Sequence, residues 1–105
     1  MGNPHRYYKR FLQQFAYNLA VEKNEKLANE MYENDSEEEL EQFVLDEKVN
    51  MDEKQFYFNA GIAYSTVIYD VWNNDCTDGL NACIGGFTEF EYFIGLRDDE
   101  EEEDD

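Results

Sequence analysis

Twenty-three of the 26 acidic side chains in this chain of 105 residues fall after position 30. Residues 1–30 carry five Lys/Arg against three Glu, a net of +2, and residues 31–105 carry three Lys/Arg against 23 acids, a net of −20, which together give the formal −18. A surplus that dense repels itself and works against any compact state. A fold must therefore keep the acids outside and gather its apolar residues tightly. The material for that is present: 42 % of the residues are hydrophobic, including eight Phe, eight Tyr and Trp72, whereas disordered acidic chains are poor in aromatics. The length suits one domain. We read residues 1–97 as a single compact acidic domain and 98–105, where every residue is acidic, as a solvated, disordered tail.

The apolar residues repeat with a helical period. Tyr8, Phe11, Leu12, Phe15, Ala16, Leu19 and Ala20 form one stripe, and Leu27, Ala28, Met31 and Tyr32 resume it. With Pro4 just inside its start and Asn3 as cap, this predicts a long helix over 4–33 with a break near Asn24. Ser36 and Glu39 have capping-box spacing, and three acids follow Ser36 where a helix dipole favours them. A second helix over 37–48 is expected, burying Leu40, Phe43 and Val44. Asn50 with Glu53 repeats the cap pattern for a third helix over 51–73, with Phe56, Ala60, Ala63, Tyr64, Val67, Ile68, Val71 and Trp72 in period. The β-branched and aromatic run 62–72 and Gly61 also suit a strand. Residues 73–79 read as a loop. A short helix from Thr77 or Asp78 to Ile84 would close at Gly85-Gly86, and 87–96 would be a short helix or an edge strand. The expected fold is mainly α, a small bundle of three to five helices. The alternative is α+β with strands near 62–72 and 87–96.

Several functions are disfavoured. No segment approaches the ~20 apolar residues of a membrane span, the basic N-terminus lacks the features of a signal peptide, and position 6 is Arg6 where myristoylation needs Ser or Thr. Cys76 and Cys83 stand seven apart, which suits neither redox nor zinc spacing. They read as reduced packing residues of a cytoplasmic protein, with a local disulfide as the lesser alternative. A phosphate loop, a GxSxG turn and HExxH are missing from the sequence, and His5, near a terminus expected to fray, is the only histidine. The chain reads as a non-enzyme. Aligning Gly79 with the turn glycine of an EF-hand puts Gly85 where the bidentate Glu belongs, so no metal and no cofactor is expected. Direct nucleic-acid binding needs Lys/Arg to neutralise phosphates, and Arg6, Lys9 and Arg10 are too few. They read as a solvated face or as a contact to acidic surface.

Charge itself is then the working feature. Acids at i and i+4 on a helix lie about 6 Å apart along the axis, close to the spacing of phosphates along a nucleic-acid strand. Segment 35–53 holds nine acids. The candidate partner-binding residues are Glu37, Glu38, Glu41, Asp46, Glu47, Asp52 and Glu53, with Asp35 and Glu39 partly used in capping. Glu22, Glu25 and Glu30 would extend a rim, and Glu89 and Glu91 with the tail would add a patch. Tyr32 and Phe43 would supply aromatic fit.

In size, acidity, aromatic content and the closing run from Arg97 through Asp105, the chain resembles phage antirestriction proteins of the overcome-classical-restriction type and small anti-CRISPR proteins. That resemblance implies a stoichiometric DNA mimic that blocks a host restriction or CRISPR enzyme. It also implies dimerisation, for which this sequence offers surplus aromatics. The run Asp35-Ser36-Glu37-Glu38-Glu39-Leu40 resembles the second-helix start of bacteriocin immunity proteins, although capping alone accounts for it. The expected partner is a basic nucleic-acid-binding protein. The alternatives are an acidic binding module or chaperone for basic proteins, and a nuclease immunity protein.

Overall fold

The computed structural model describes residues 4–34, 36–74 and 76–96. The expected Asn3 cap, Asp35, Asp75 and the tail 98–105 lie outside them, as do the side chains of Cys76, Thr77 and Asp78. The chain order is α1 (Pro4–Val21), α2 (Glu25–Glu33), α3 (Glu37–Asn50), α4 (Glu53–Asn74) and α5 (Cys76–Ile94), with no strand among the described residues. The mainly helical expectation holds, and 62–72 and 87–96, for which strands were the alternative, are both helical in the described residues up to Ile94.

Helix α1 is the axis of the bundle. It touches each of the other four helices, α5 most extensively. Its buried residues are Tyr7, Tyr8, Phe11, Leu12, Phe15, Ala16, Leu19 and Ala20, two neighbours every four positions. Phe11 packs on Tyr64, Phe87 and Phe90, and Phe15 on Phe56 and Phe90, with ring centroids 4.9–6.0 Å apart. Offset and edge contacts of this kind add about 0.5–1.5 kcal/mol per pair beyond burial.

The helix ends show why the chain divides where it does. Asn24, in extended conformation, accepts a bond from the Leu27 amide at 2.7 Å and starts α2. Helix α2 then folds back along α1, where Gln13 donates to the carbonyls of Tyr32 and Asn34. Ser36 caps α3 by accepting from the Glu39 amide. The expected capping box is not reciprocal: Asn34 accepts from the Ser36 amide and donates to the Glu39 carboxylate, standing between the two. Helix α4 is capped by Asp52, which accepts from the Gln55 amide. Asn50, expected in that role, belongs to α3 and donates to the Asp46 carbonyl.

The strand alternative for 62–72 is not used, and three other expectations differ from the structure. The run 62–72 is helical because Phe56, Asn59, Ala60, Ala63, Val67 and Val71 are buried at helical spacing, and tertiary burial overrides β preference. Trp72, expected inside, is 63 % exposed, because Val71 takes the core position. The loop expected over 73–79 shrinks to the junction between Asn74 and Cys76. Gly85-Gly86 does not end a helix. Helix α5 runs through both, with Gly79, Ala82, Cys83 and Gly86 giving it a small-residue buried face before Phe90 and Ile94. Two interior glycines cost about 1 kcal/mol each, which the burial of Phe90 and Ile94 outweighs.

The actual stop is Gly95, with φ of 92°. The Leu96 amide reaches the Glu91 carbonyl five residues back, as in a Schellman closure. Lys48 and Tyr57 both donate to the Ile94 carbonyl, so α3 and α4 hold the end of α5. A Cβ on Gly95 would stand 2.8 Å from Lys48 Nζ and require left-handed backbone. Gly95→Ala should therefore lose about 1–2 kcal/mol in urea unfolding. At Gly61, inside α4, a Cβ meets nothing within 4 Å, and Gly61→Ala should gain about 0.5–1 kcal/mol. Equal effects at the two glycines would show that the α5 stop is misplaced.

Candidate acidic interface

The acids divide into those given structural partners and those left to solvent. Helix α1 brings His5 between α3 and α5. Its two ring nitrogens lie 2.9 Å from Glu37 and 2.9 Å from Glu89. His5 is thus held within α1, where the sequence suggested a frayed end. Tyr8, one turn on, is buried and donates its hydroxyl to Glu41 at 2.5 Å. The His5 and Tyr8 rings lie 5.2 Å apart. Three carboxylates from two helices thus gather around two rings of α1. The i, i+4 pair Glu37 and Glu41, expected to imitate phosphate spacing in the open, is directed at these rings.

The surroundings change both rings. Bonds to Glu89 and Glu37, and then their charges, raise the His5 pKa above its ordinary 6.5, while slight desolvation opposes them. A protonated ring donates to both carboxylates at once. The Tyr8 hydroxyl is pushed well above its ordinary range, first by burial, then by the bond to Glu41 and by the charges of Glu41, Glu37 and Glu89.

Further acids are engaged elsewhere. Lys23 sits 3.5 Å from Glu47, whose side chain is largely covered. Asp46 accepts from Gln42, Asp52 caps α4, and Glu91 is half-buried. Arg10 pairs with Asp70 of α4, so that member of the basic cluster contacts an acid outside the 35–53 band. The guanidinium groups of Arg6 and Arg10 also lie over the Tyr7 ring. Of the two expected aromatics, Tyr32 is 57 % exposed and packs edge-on against Tyr17, while Phe43 is half-buried against the core.

The exposed acids lie on α2 and α3. Lys23, in the turn before α2, pairs with Glu47 in the later turns of α3, and Asn34, just after α2, donates to Glu39 at the start of α3. The residues flanking α2 are thus each linked to α3, while α2 and α3 both pack on α1. Glu25, Glu30 and Glu33 are exposed on α2, and Glu38, Glu39 and Asp46 on α3, with Glu22, Asp52 and Glu53 at the margins. Glu33 was missed as a site residue, because its exposure depends on which side of α2 packs on α1. On α3 the outward acids are interrupted by Gln42, Leu45 and Val49. Glu38 and Asp46 are thus eight residues, or about 12 Å, apart along the helix. Among the described residues no group of three or more His, Cys, Asp or Glu is arranged to hold a metal ion, and no helix is long and apolar enough to cross a membrane.

No protein-family model, curated protein or solved structure matches the chain.

Two predictions follow from the ring cluster. The folded His5 pKa lies above the unfolded value, so the clamp contributes its stability in full below about pH 6.5. That contribution fades as pH rises through the raised value. An NMR titration of the ring should show the raised midpoint, and Glu37→Gln with Glu89→Gln should return it to the ordinary value. An unchanged midpoint in the double variant would rule out the clamp. Tyr8→Phe leaves half-buried Glu41 without its donor and should cost about 1–2 kcal/mol by urea unfolding.

Proposed function

We propose that this protein is a stoichiometric inhibitor that presents carboxylates in place of nucleic-acid phosphates and occupies the basic cleft of a DNA-binding enzyme. The target class is a host defence enzyme of restriction or CRISPR type, met in the cytoplasm. The observation that carries this reading is the set of exposed acids on α2 and α3, two helices that both pack on α1. Their outward Glu25, Glu30, Glu33, Glu38, Glu39 and Asp46 face solvent, and the cation before α2, Lys23, is directed to Glu47. Because α2 and α3 both pack on α1, these carboxylates sit on helices whose positions the core fixes.

The mechanism is competition. A cleft lined by Lys/Arg attracts the acidic face over long range and raises the encounter rate, while buried contacts set how long the complex lasts. Counterions held by the cleft are released as they would be by DNA. Gln42, Leu45 and Val49, set among the acids, offer neutral contact area where the cleft meets more than phosphate.

The test uses DNA cleavage by a restriction complex or a CRISPR effector, titrated with the protein. Inhibition should saturate at a fixed molar ratio, be relieved by excess duplex DNA and weaken as salt rises. The combined variant Glu30→Gln, Glu33→Gln, Glu38→Gln and Glu53→Gln should associate with the enzyme at least about tenfold more slowly at low salt, with unchanged helicity. Undiminished inhibition by that variant would refute the reading.

A further inference from the structure

Helix α4 is apolar on two opposite sides. One side, Phe56, Ala60, Ala63, Val67 and Val71, is buried. The other is Phe58, Ile62, Ser65, Tyr69 and Trp72, spaced four, three, four and three. At 100° per residue these five lie within about 40° of one line that points away from the core. All five are exposed, with Phe58 at 63 %, Tyr69 at 69 % and Trp72 at 63 %. None of the described residues covers them, and their spacing is that of a helix seam meant to meet another helix.

We infer that this outward stripe of α4 is the interface of a twofold homodimer in which two α4 helices cross antiparallel about Ser65. The stripe is its own complement. Numbering outward from Ser65, Phe58 and Trp72 are each seven residues away, so antiparallel pairing sets Phe58 of one copy against Trp72 of the other. Ile62, three residues before Ser65, and Tyr69, four after it, come opposite each other to within one residue, and two small serines fall at the axis. Gly61, one turn before Ser65, meets nothing within 4 Å of where a Cβ would be. Small residues at the crossing point let two helix backbones approach closely, and bulky ones on either side fill the space beyond. Such pairing of one patch with itself is what a closed dimer requires.

Charge selects a second copy over other occupants. Residues 55–87 contain three acids and no Lys or Arg, so −15 of the formal −18 lies elsewhere. Of the three, Asp70 is paired with Arg10. Two bodies this acidic can approach closely only through a face that carries almost no charge, and this stripe is such a face. A basic partner, by contrast, gains nothing electrostatically by choosing it.

The area is sufficient. Aromatic side chains bury about 150–250 Å² each, so the uncovered parts of Phe58, Tyr69 and Trp72 supply on the order of 400 Å². The stripe continues into a groove between α4 and α5, lined by Tyr64, Ile68, Leu80 and Ile84. With Ile62 and Ile84 the total approaches roughly 600 Å² per copy, about 1,200 Å² for the pair, the lower edge of specific interfaces.

This inference stands apart from the acidic-surface reading, and salt separates them. Binding to a basic cleft weakens with salt. Dimerisation strengthens with it, because the Debye length falls from about 30 Å at 0.01 M to about 8 Å at 0.15 M and mutual repulsion is screened. Sedimentation equilibrium of the full chain should show a monomer–dimer equilibrium that tightens several-fold over that range. Fluorescence of Trp72, the single tryptophan, should shift to the blue with increasing protein concentration. Ser65→Glu, on an exposed position, places two carboxylates at the axis and should weaken the dimer about 100-fold or more; Trp72→Ala should weaken it with helicity intact. A chain that stays monomeric at high salt, a dimer indifferent to both substitutions, or a Trp72 shift that appears only with a target protein would each overturn the inference.

Discussion

The fold depends on a balance between self-repelling charge and one aromatic axis. Phe11 and Phe15 of α1, both fully buried, meet rings from α4 and α5 at five contacts. The same helix meets α2 through Gln13 and α3 through Tyr8. Every other element is thus fixed by contact with α1, the part of the chain whose charge is slightly positive. Setting that helix at the centre of an acidic body also spreads its cations outward to the acids of other elements. His5 goes to α3 and α5, and Arg10 to α4. These pairs are exposed or half-exposed and individually worth little. Their effect is placement, since each relieves repulsion where two acidic elements approach.

That placement sorts the acids by role. Glu37, Glu41 and Glu89 are turned toward the rings of α1, Glu47 toward Lys23, and Asp52 toward the first amides of α4. Removing one of these changes stability or a pKa before it changes any binding surface. Glu30, Glu33, Glu38 and Glu53 remain outward. A substitution series that mixed the two groups would confuse folding with recognition.

Much of the fold was legible in the sequence because helix boundaries here are written locally. Asn24 and Ser36 cap where their neighbours indicate, and the α1 stripe is buried as its period requires. What could not be read depended on distant contacts. Gly85-Gly86 has the composition of a helix stop, yet the packing of α5 on α1 carries the helix through it to Gly95. Asn50 and Asp52 compete for the same cap, and the chain uses the one whose carboxylate reaches the Gln55 amide. For the candidate site, sequence supplied most of the acids but not their directions. His5 at position 5 and Glu89 at position 89 carry no mutual signal until α1 and α5 are packed together.

Helix α4 shows the same limit from the other side, and here the ambiguity has a physical meaning. Two apolar stripes on opposite faces make the segment look apolar throughout, which is why 62–72 suited a strand and why Trp72 read as core. Sequence period marks both stripes equally and cannot say which faces α1. An outward aromatic stripe on a lone domain normally invites open-ended association. In this chain the remaining charge opposes that outcome, because repulsion grows with each copy added. In the proposed dimer, twofold pairing covers this stripe after one addition, so the stripe itself cannot recruit a third copy. In that dimer, concentrating nearly all the acid outside residues 55–87 would do two things at once: leave a face of low charge on which two copies meet, and oppose the addition of further copies.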